Sequence, residues 1–335
     1  MSQPRAGRAI AILAGLFAVG LSGLAYTRYR RDIRQARERV ATGSQIAETA
    51  CGPIEYAVAG DGPPVLLVHG AGGGYDQGLE FGLALAKRGF RVIAMSRFGY
   101  LRTPLPRDAS AAAQADAHAC LLDALAIERA AIAGASAGAP SSLQFALRHT
   151  DRCSSMVLLV PAAYAPRAGG APALQTPGWT EFLFDTALRS DFLFWAAIRL
   201  ARSTLIPALL ATPVAALESA SADEQARVGE VLKHILPVSS RRLGLLNDAA
   251  VISVLPRYEL ERIAVPTLVI GVADCLFGTF EPARYTAEQI PGALFTEYES
   301  GGHLWVGHQN EVIAAIAAFL NEHRTENAVD RLDTP

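Results

Sequence analysis

The stretch Gly134-Ala135-Ser136-Ala137-Gly138 places one hydroxyl between two glycines, the spacing of a nucleophile elbow. An apolar run with β propensity leads in over residues 130–133. A helix-compatible run with Pro140 in its first turn leads out over 139–149. A strand-to-helix turn that tight leaves no room for side chains beside the serine, which accounts for the glycines. The helix that follows aims its free N–H groups and positive end at the serine oxygen. A serine hydroxyl attacks a carbonyl only when a base removes its proton, and an acid must hold that base in the right tautomer. Asp274 ends the apolar run 268–273 in the pattern Gly271-x-x-Asp274, and His303 follows a strand-like run in Ser300-Gly301-Gly302-His303. Ser136, Asp274 and His303 stand in the chain order that belongs to this elbow.

The remaining candidates rank lower. His308 falls at the start of the last helical run, His118 and His149 in helices beside the elbow strand, His234 in a long insertion and His323 near the tail. Asp185 and Asp248 also belong to the insertion rather than to a strand end. Glu297 and Glu299 lie too close before His303 to orient it, and Pro161-Ala162-Ala163-Tyr164 offers no acid. An acyl-transfer site also needs donors for the oxyanion. The N–H of Ala137 is one by construction of the elbow. The loop after Val68 supplies the other, from Ala71 with Gly72 as the alternative. His69 is expected to brace that loop. The glycines at 72–74 are followed by no Lys-Ser/Thr, so they do not form a phosphate loop.

The rest of the chain must position these groups. Its 335 residues suffice for one large domain with an insertion, and a formal net charge of −2 gives no field that would draw nucleic acid. Hydrophobic residues make up 51%, more than one core requires. Part of the excess is residues 9–26, an uncharged run near the lower limit for spanning a bilayer, with Arg5 and Arg8 before it and six arginines between 28 and 39 after it. A cleaved signal peptide is the rival, with Gly23 and Ala25 before a cleavage point. The length of the run and the basic segment after it favour a signal anchor over residues 1–26. The arginine excess on its C-terminal side favours leaving the domain in the cytoplasm, with the opposite orientation as the alternative. Residues 27–43 read equally as a helix near anionic headgroups or as a solvated spacer. Cys51, Cys120, Cys153 and Cys275 are widely spaced and read as buried free thiols, in keeping with that compartment.

From residue 44 onward, short apolar runs alternate with helical ones: 65–68, 76–88, 90–95, 108–126, 130–133, 139–149 and 156–160. The alternation resumes with 266–270, 282–289, 294–298 and a closing helix with Val312, Ile316 and Phe319 on one face. Such alternation predicts an α/β fold, a parallel sheet covered by helices on both faces. Between lie residues 164–256, helical and broken by Pro166, Pro172, Pro177, Pro207, Pro213 and Pro237. We read them as a cap inserted into a core of 44–163 and 257–324, with 325–335 a polar tail. Phe182, Phe184, Phe192, Phe194 and Trp195 cluster near the start of the cap. Most are expected to serve ordinary helix packing, though an apolar cap over a site would keep it dry.

Together, His69-Gly70, Gly134-x-Ser136-x-Gly138, Gly271-x-x-Asp274 and Gly302-His303 resemble the α/β-hydrolase superfamily over residues 44–324. The resemblance implies an eight-stranded, mostly parallel sheet and an acyl-enzyme mechanism without cofactor or metal. In it Ser136 attacks, His303 serves as base then acid, and Asp274 orients the imidazole. An anchor followed by such a domain is similar to membrane-attached monoacylglycerol-lipase-type proteins. Two positions depart from the pattern: Cys275-Leu276-Phe277-Gly278 follows the acid, and Ser96 stands where relatives often carry Asp. The expected function is hydrolysis of a small, apolar carboxylic ester, with the membrane as the other partner. Acyl transfer, lactone or C–C hydrolysis, haloperoxidase or perhydrolase chemistry and non-catalytic ligand binding are the alternatives on the same residues.

Overall fold

The computed structural model describes residues 4–166 and 188–324, with the backbone alone for 4–19 and 21. Eight strands form one sheet: β1 (Gln45–Thr49), β2 (Gly52–Ala59), β3 (Pro64–Val68), β4 (Arg91–Met95), β5 (Ala130–Ala135), β6 (Cys153–Leu159), β7 (Thr267–Val272) and β8 (Leu294–Tyr298). Their spatial order is β1-β2-β4-β3-β5-β6-β7-β8. β1–β2 and β2–β4 pair antiparallel and all other neighbours pair parallel. The central strands are buried along their length, which is why they read as continuous apolar runs rather than alternating ones.

Alternate residues divide the core. Leu66, Val68, Ile132 and Leu158 face the layer of helices Ala111–Ala124, Ala139–Arg148 and Phe280–Gln289. Val65, Leu67, Ala133 and Leu159 face the layer of helices Tyr75–Ala86 and Gln309–Glu322. Between β6 and β7 the described residues of the insertion form five helices: Asp191–Leu200, Arg202–Leu210, Val214–Glu218, Ala222–His234 and Arg242–Ser253. Phe194 and Trp195 are buried in the core of that layer, while Phe192 is partly exposed and lies edge-on to Tyr29. Phe182, Phe184, Asp185 and the tail 325–335 lie outside the described residues.

Two expectations are corrected. Cys51 and Cys120 are joined by a disulfide with their Cα atoms 6.0 Å apart, leaving Cys153 and Cys275 as free, buried thiols. The turn between β1 and β2 lies over the helix Ala111–Ala124, so residues remote in sequence meet, and spacing along the chain gives no sign of it. The segment 27–41 is not a solvated spacer. It is the end of one helix, Pro4–Ala41, docked onto the insertion. Ile33 and Ala36 are buried with Phe194, Trp195 and Ile198. Arg37 pairs with Asp191 at 3.1 Å and Arg39 with Asp76 at 3.3 Å, so part of the basic run is matched by the protein's own carboxylates. Among the described residues no single helix is long and apolar enough to cross a membrane, and most side chains of the run 9–26 lie outside them.

Candidate active site

Strand β5 runs directly into a 3-10 turn, Ser136–Gly138, and then the helix Ala139–Arg148. Ser136 sits at φ +49°, a left-handed conformation that costs a residue with a side chain on the order of 1–3 kcal/mol. Neighbours enforce the small residues around it. A Cβ on Gly134 would strike the Ser142 hydroxyl, and one on Gly138 would strike the Val68 carbonyl and come within 2.8 Å of that of His69. Gly70 passes so close to the serine that an added Cβ would lie 3.2 Å from the Ser136 Cβ.

His303 reaches the same place from the loop after β8. Gly301 and Gly302 hold φ of +123° and +62°, and a Cβ on Gly302 would lie 2.5 Å from the Thr212 Cα. The imidazole is buried, which pushes its pKa down from 6.5 to about 4 and leaves the ring neutral at ordinary pH. Its backbone N–H donates to the carbonyl of Ala211 at 3.2 Å, and the N–H of Leu276 donates to that same oxygen at 3.1 Å. Ala211 ends the helix Arg202–Leu210 in a left-handed conformation, φ +41°.

Asp274 adjoins His303 but not by the contact expected of it. Its carboxylate accepts the N–H of Gly302 at 2.7 Å and that of Gly301 at 3.2 Å. The imidazole Nδ1 faces the sulfur of Cys275 at 3.2 Å, and the Phe277 ring meets the imidazole edge to face at 5.0 Å. Asp274 therefore grips the backbone of the histidine loop while its neighbour in sequence meets the ring.

Ser136 and His303 line one cavity of about 370 Å³. Its wall is apolar: Leu67, Phe81, Leu159 and Trp305 from the core, and Leu209, Leu210 and Val231 from the insertion. Polar groups are few, with Gln77, Glu80, Arg227 and Gln309 among them. Ala71 is exposed and also lines the cavity. The N–H of Gly72 donates to the Tyr100 hydroxyl at 3.2 Å, so of the two oxyanion candidates in this loop Ala71 is the one without that engagement. Ala137 is buried directly after Ser136, and it is its backbone N–H that the oxyanion role requires. His69 is buried. Its Nε2 accepts the N–H of Arg97 at 3.0 Å and its Nδ1 lies 2.7 Å from the Gly70 carbonyl, so it braces the loop and does not reach the serine.

The other histidines have partners of their own. His118 lies 3.1 Å from the Ser141 hydroxyl, His149 2.8 Å from Asp116, His234 2.7 Å from Glu80, and His308, just before the last helix, 3.0 Å from Glu311. Asp248 holds Arg97 in a buried pair with two bonds of 2.6 and 2.7 Å and accepts the Tyr100 hydroxyl. A second buried acid, Glu55, was not singled out in the sequence. It accepts Ser96 at 2.8 Å and Arg102 at 2.7 Å, so the carboxylate absent at position 96 arrives from a neighbouring strand. The departure from the family pattern at Ser96 was its one available signal.

The family model for the alpha/beta hydrolase fold matches residues 63–306. The uncharacterized hydrolase YcgS of Bacillus subtilis (strain 168) is 28% identical over 275 residues, covering 77% of this chain and 91% of its own. Among solved structures, an alpha/beta hydrolase fold protein from Nakamurella multipartita is 28% identical with a TM-score of 0.64, covering 83% of this chain and 98% of its own. An esterase from Exiguobacterium antarcticum shares the fold at a TM-score of 0.64 and 17% identity, covering 83% of this chain and 99% of its own.

Proposed function

We propose, for a chain that belongs to the alpha/beta hydrolase fold family, that it is a serine hydrolase cleaving lipophilic carboxylic esters. The observation that carries this reading is a strained, glycine-framed serine sharing one apolar cavity with a buried, neutral histidine. Ser136 Oγ attacks the ester carbonyl carbon as His303 Nε2 takes its proton. The N–H groups of Ala71 and Ala137 receive the oxyanion. As the tetrahedral intermediate collapses, the proton passes from His303 to the leaving alcohol, and an acyl group remains on Ser136. Water, deprotonated by the same imidazole, then releases the acid and restores the serine. An apolar cavity of this size favours an acyl chain over a charged substrate. Residues 9–26 are proposed to anchor the chain in a membrane, which would bring such substrates close.

The test is hydrolysis of p-nitrophenyl esters of graded acyl length by the full chain in detergent, since residues 27–41 are packed on the insertion. Turnover that disappears in Ser136→Ala supports the reading. A folded wild type that cleaves none of the series overturns it, and acyl transfer to an added alcohol then becomes the next measurement.

A further inference from the structure

Resting on the serine-hydrolase reading above, we infer that the sulfur of Cys275 is the group that holds the His303 imidazole in its working tautomer, while the Asp274 carboxylate shapes the loop that carries it. General-base catalysis at Nε2 requires the ring hydrogen to sit on Nδ1, and something must accept it there. The Cys275 sulfur lies 3.2 Å from Nδ1. The Thr279 hydroxyl donates to that sulfur at 3.1 Å and so occupies one of its two lone pairs, leaving the other, with the S–H turned away from the ring, for the Nδ1 hydrogen. Cys275, Thr279 and His303 are all buried, so no water competes for this contact at ordinary cost.

The backbone fixes the sulfur in place. The N–H of Cys275 donates to the Val272 carbonyl at 3.2 Å and its own carbonyl accepts from Gly278 at 2.9 Å, closing a tight turn after β7. Both oxygens of Asp274 are meanwhile engaged by Gly302 and Gly301. The work of one orienting acid is thus divided: the carboxylate fixes the path of the main chain, and the thiol fixes the rotation of the ring. In the catalytic step the serine proton moves to Nε2, the Nδ1 hydrogen stays where it is, and no proton reaches sulfur. Cys275 is a positioning residue, with its effect exerted through His303.

Two readouts on the full chain test this. The first is the nitrogen-15 shift of His303 in selectively labelled protein, which reports the tautomer whether or not the enzyme turns over any ester. Wild type should show a hydrogen fixed on Nδ1. Cys275→Ala should show averaging between the two nitrogens, Cys275→Ser should restore the fixed state in part, and Asp274→Asn should keep it. The second is the pH profile of Ser136 labelling by a fluorophosphonate. Cys275→Ala should slow labelling on the order of tenfold to hundredfold, and Cys275→Asp should move the acid limb to higher pH, since a carboxylate stabilises the imidazolium. An unchanged tautomer and labelling rate in Cys275→Ala, with both altered in Asp274→Asn, would overturn the inference. A wild type with the tautomer fixed through Cys275 but no labelling of Ser136 would instead overturn the serine reading.

Discussion

Arg97, in the loop just after β4, holds Asp248 of the helix Arg242–Ser253 in a two-bonded ion pair that is buried on both sides. Arg97 also donates to the carbonyl of His69 at 2.8 Å, and Tyr100 bridges Asp248 to the N–H of Gly72. The loop proposed to bind the oxyanion and a helix of the insertion are therefore joined through this buried guanidinium, and Arg241 of the insertion, also buried, donates to the Gly73 carbonyl of the same loop.

Removing one partner of that pair leaves the other charge buried without compensation. Asp248→Asn should destabilise the protein by about 3–5 kcal/mol, read as a lower thermal midpoint and a lower kcat. Arg97→Met combined with Asp248→Leu should recover most of the stability without restoring kcat, since the loop then lacks its brace.

Acid should act on this protein through its buried histidines. Burial pushes His303 to about 4 and His118 to about 3, against 6.5 for an unfolded histidine. The unfolded chain therefore binds more protons than the native one across this interval, and stability falls as pH drops from about 6.5 through 4. Thermal midpoints recorded every half pH unit check the slope. The acid limb of kcat/KM should lie near pH 4, where His303 loses its free lone pair, and a limb near 6.5 would show an exposed or carboxylate-paired base instead.

The Cys51–Cys120 bond makes a compartment prediction opposite to the one drawn from the arginine excess. Disulfides persist where the environment oxidises. Protein taken directly from its own cells and denatured in excess maleimide should label on two cysteines, and on four only after reduction. Four labelled without reduction would place the domain in a reducing compartment, as the positive-inside pattern implies.

Acyl-chain preference should follow the cavity wall. Phe81 and Trp305 meet edge to face at 6.0 Å on the core side of the cavity, and Val231 faces it from the insertion. Phe81→Leu should move the optimum toward longer p-nitrophenyl esters and Val231→Phe toward shorter ones. Each should change the long-to-short ratio of kcat/KM by roughly tenfold. Ratios unchanged in both variants would show that the acyl group lies elsewhere.

The sequence made the local rules visible and left the long-range partnerships hidden. The elbow was legible because a left-handed serine between crowded backbones admits only small neighbours, and that demand is written within five residues. Buried parallel strands were legible because a strand covered on both faces must be apolar throughout. Nothing in spacing, however, says that Cys51 meets Cys120, that Glu55 receives Ser96 and Arg102, or that Arg37 finds Asp191. Position 275 is the instructive case. The motif located the turn after β7 correctly, but which of two adjacent side chains meets the imidazole depends on the twist of that turn, and both Asp274 and Cys275 are compatible with the pattern.

The shared acceptor at Ala211 has an evolutionary meaning. One carbonyl at the end of a cavity-lining helix of the insertion receives hydrogen bonds from both the loop that carries His303 and the turn that carries Asp274 and Cys275. A mutation that reshapes the insertion to admit a new substrate shifts that carbonyl, and with it the alignment of the histidine. Under the proposed function, substrate range and turnover would then be inherited together, and a grafted insertion from a relative would need its own 210–213 junction to work on this core.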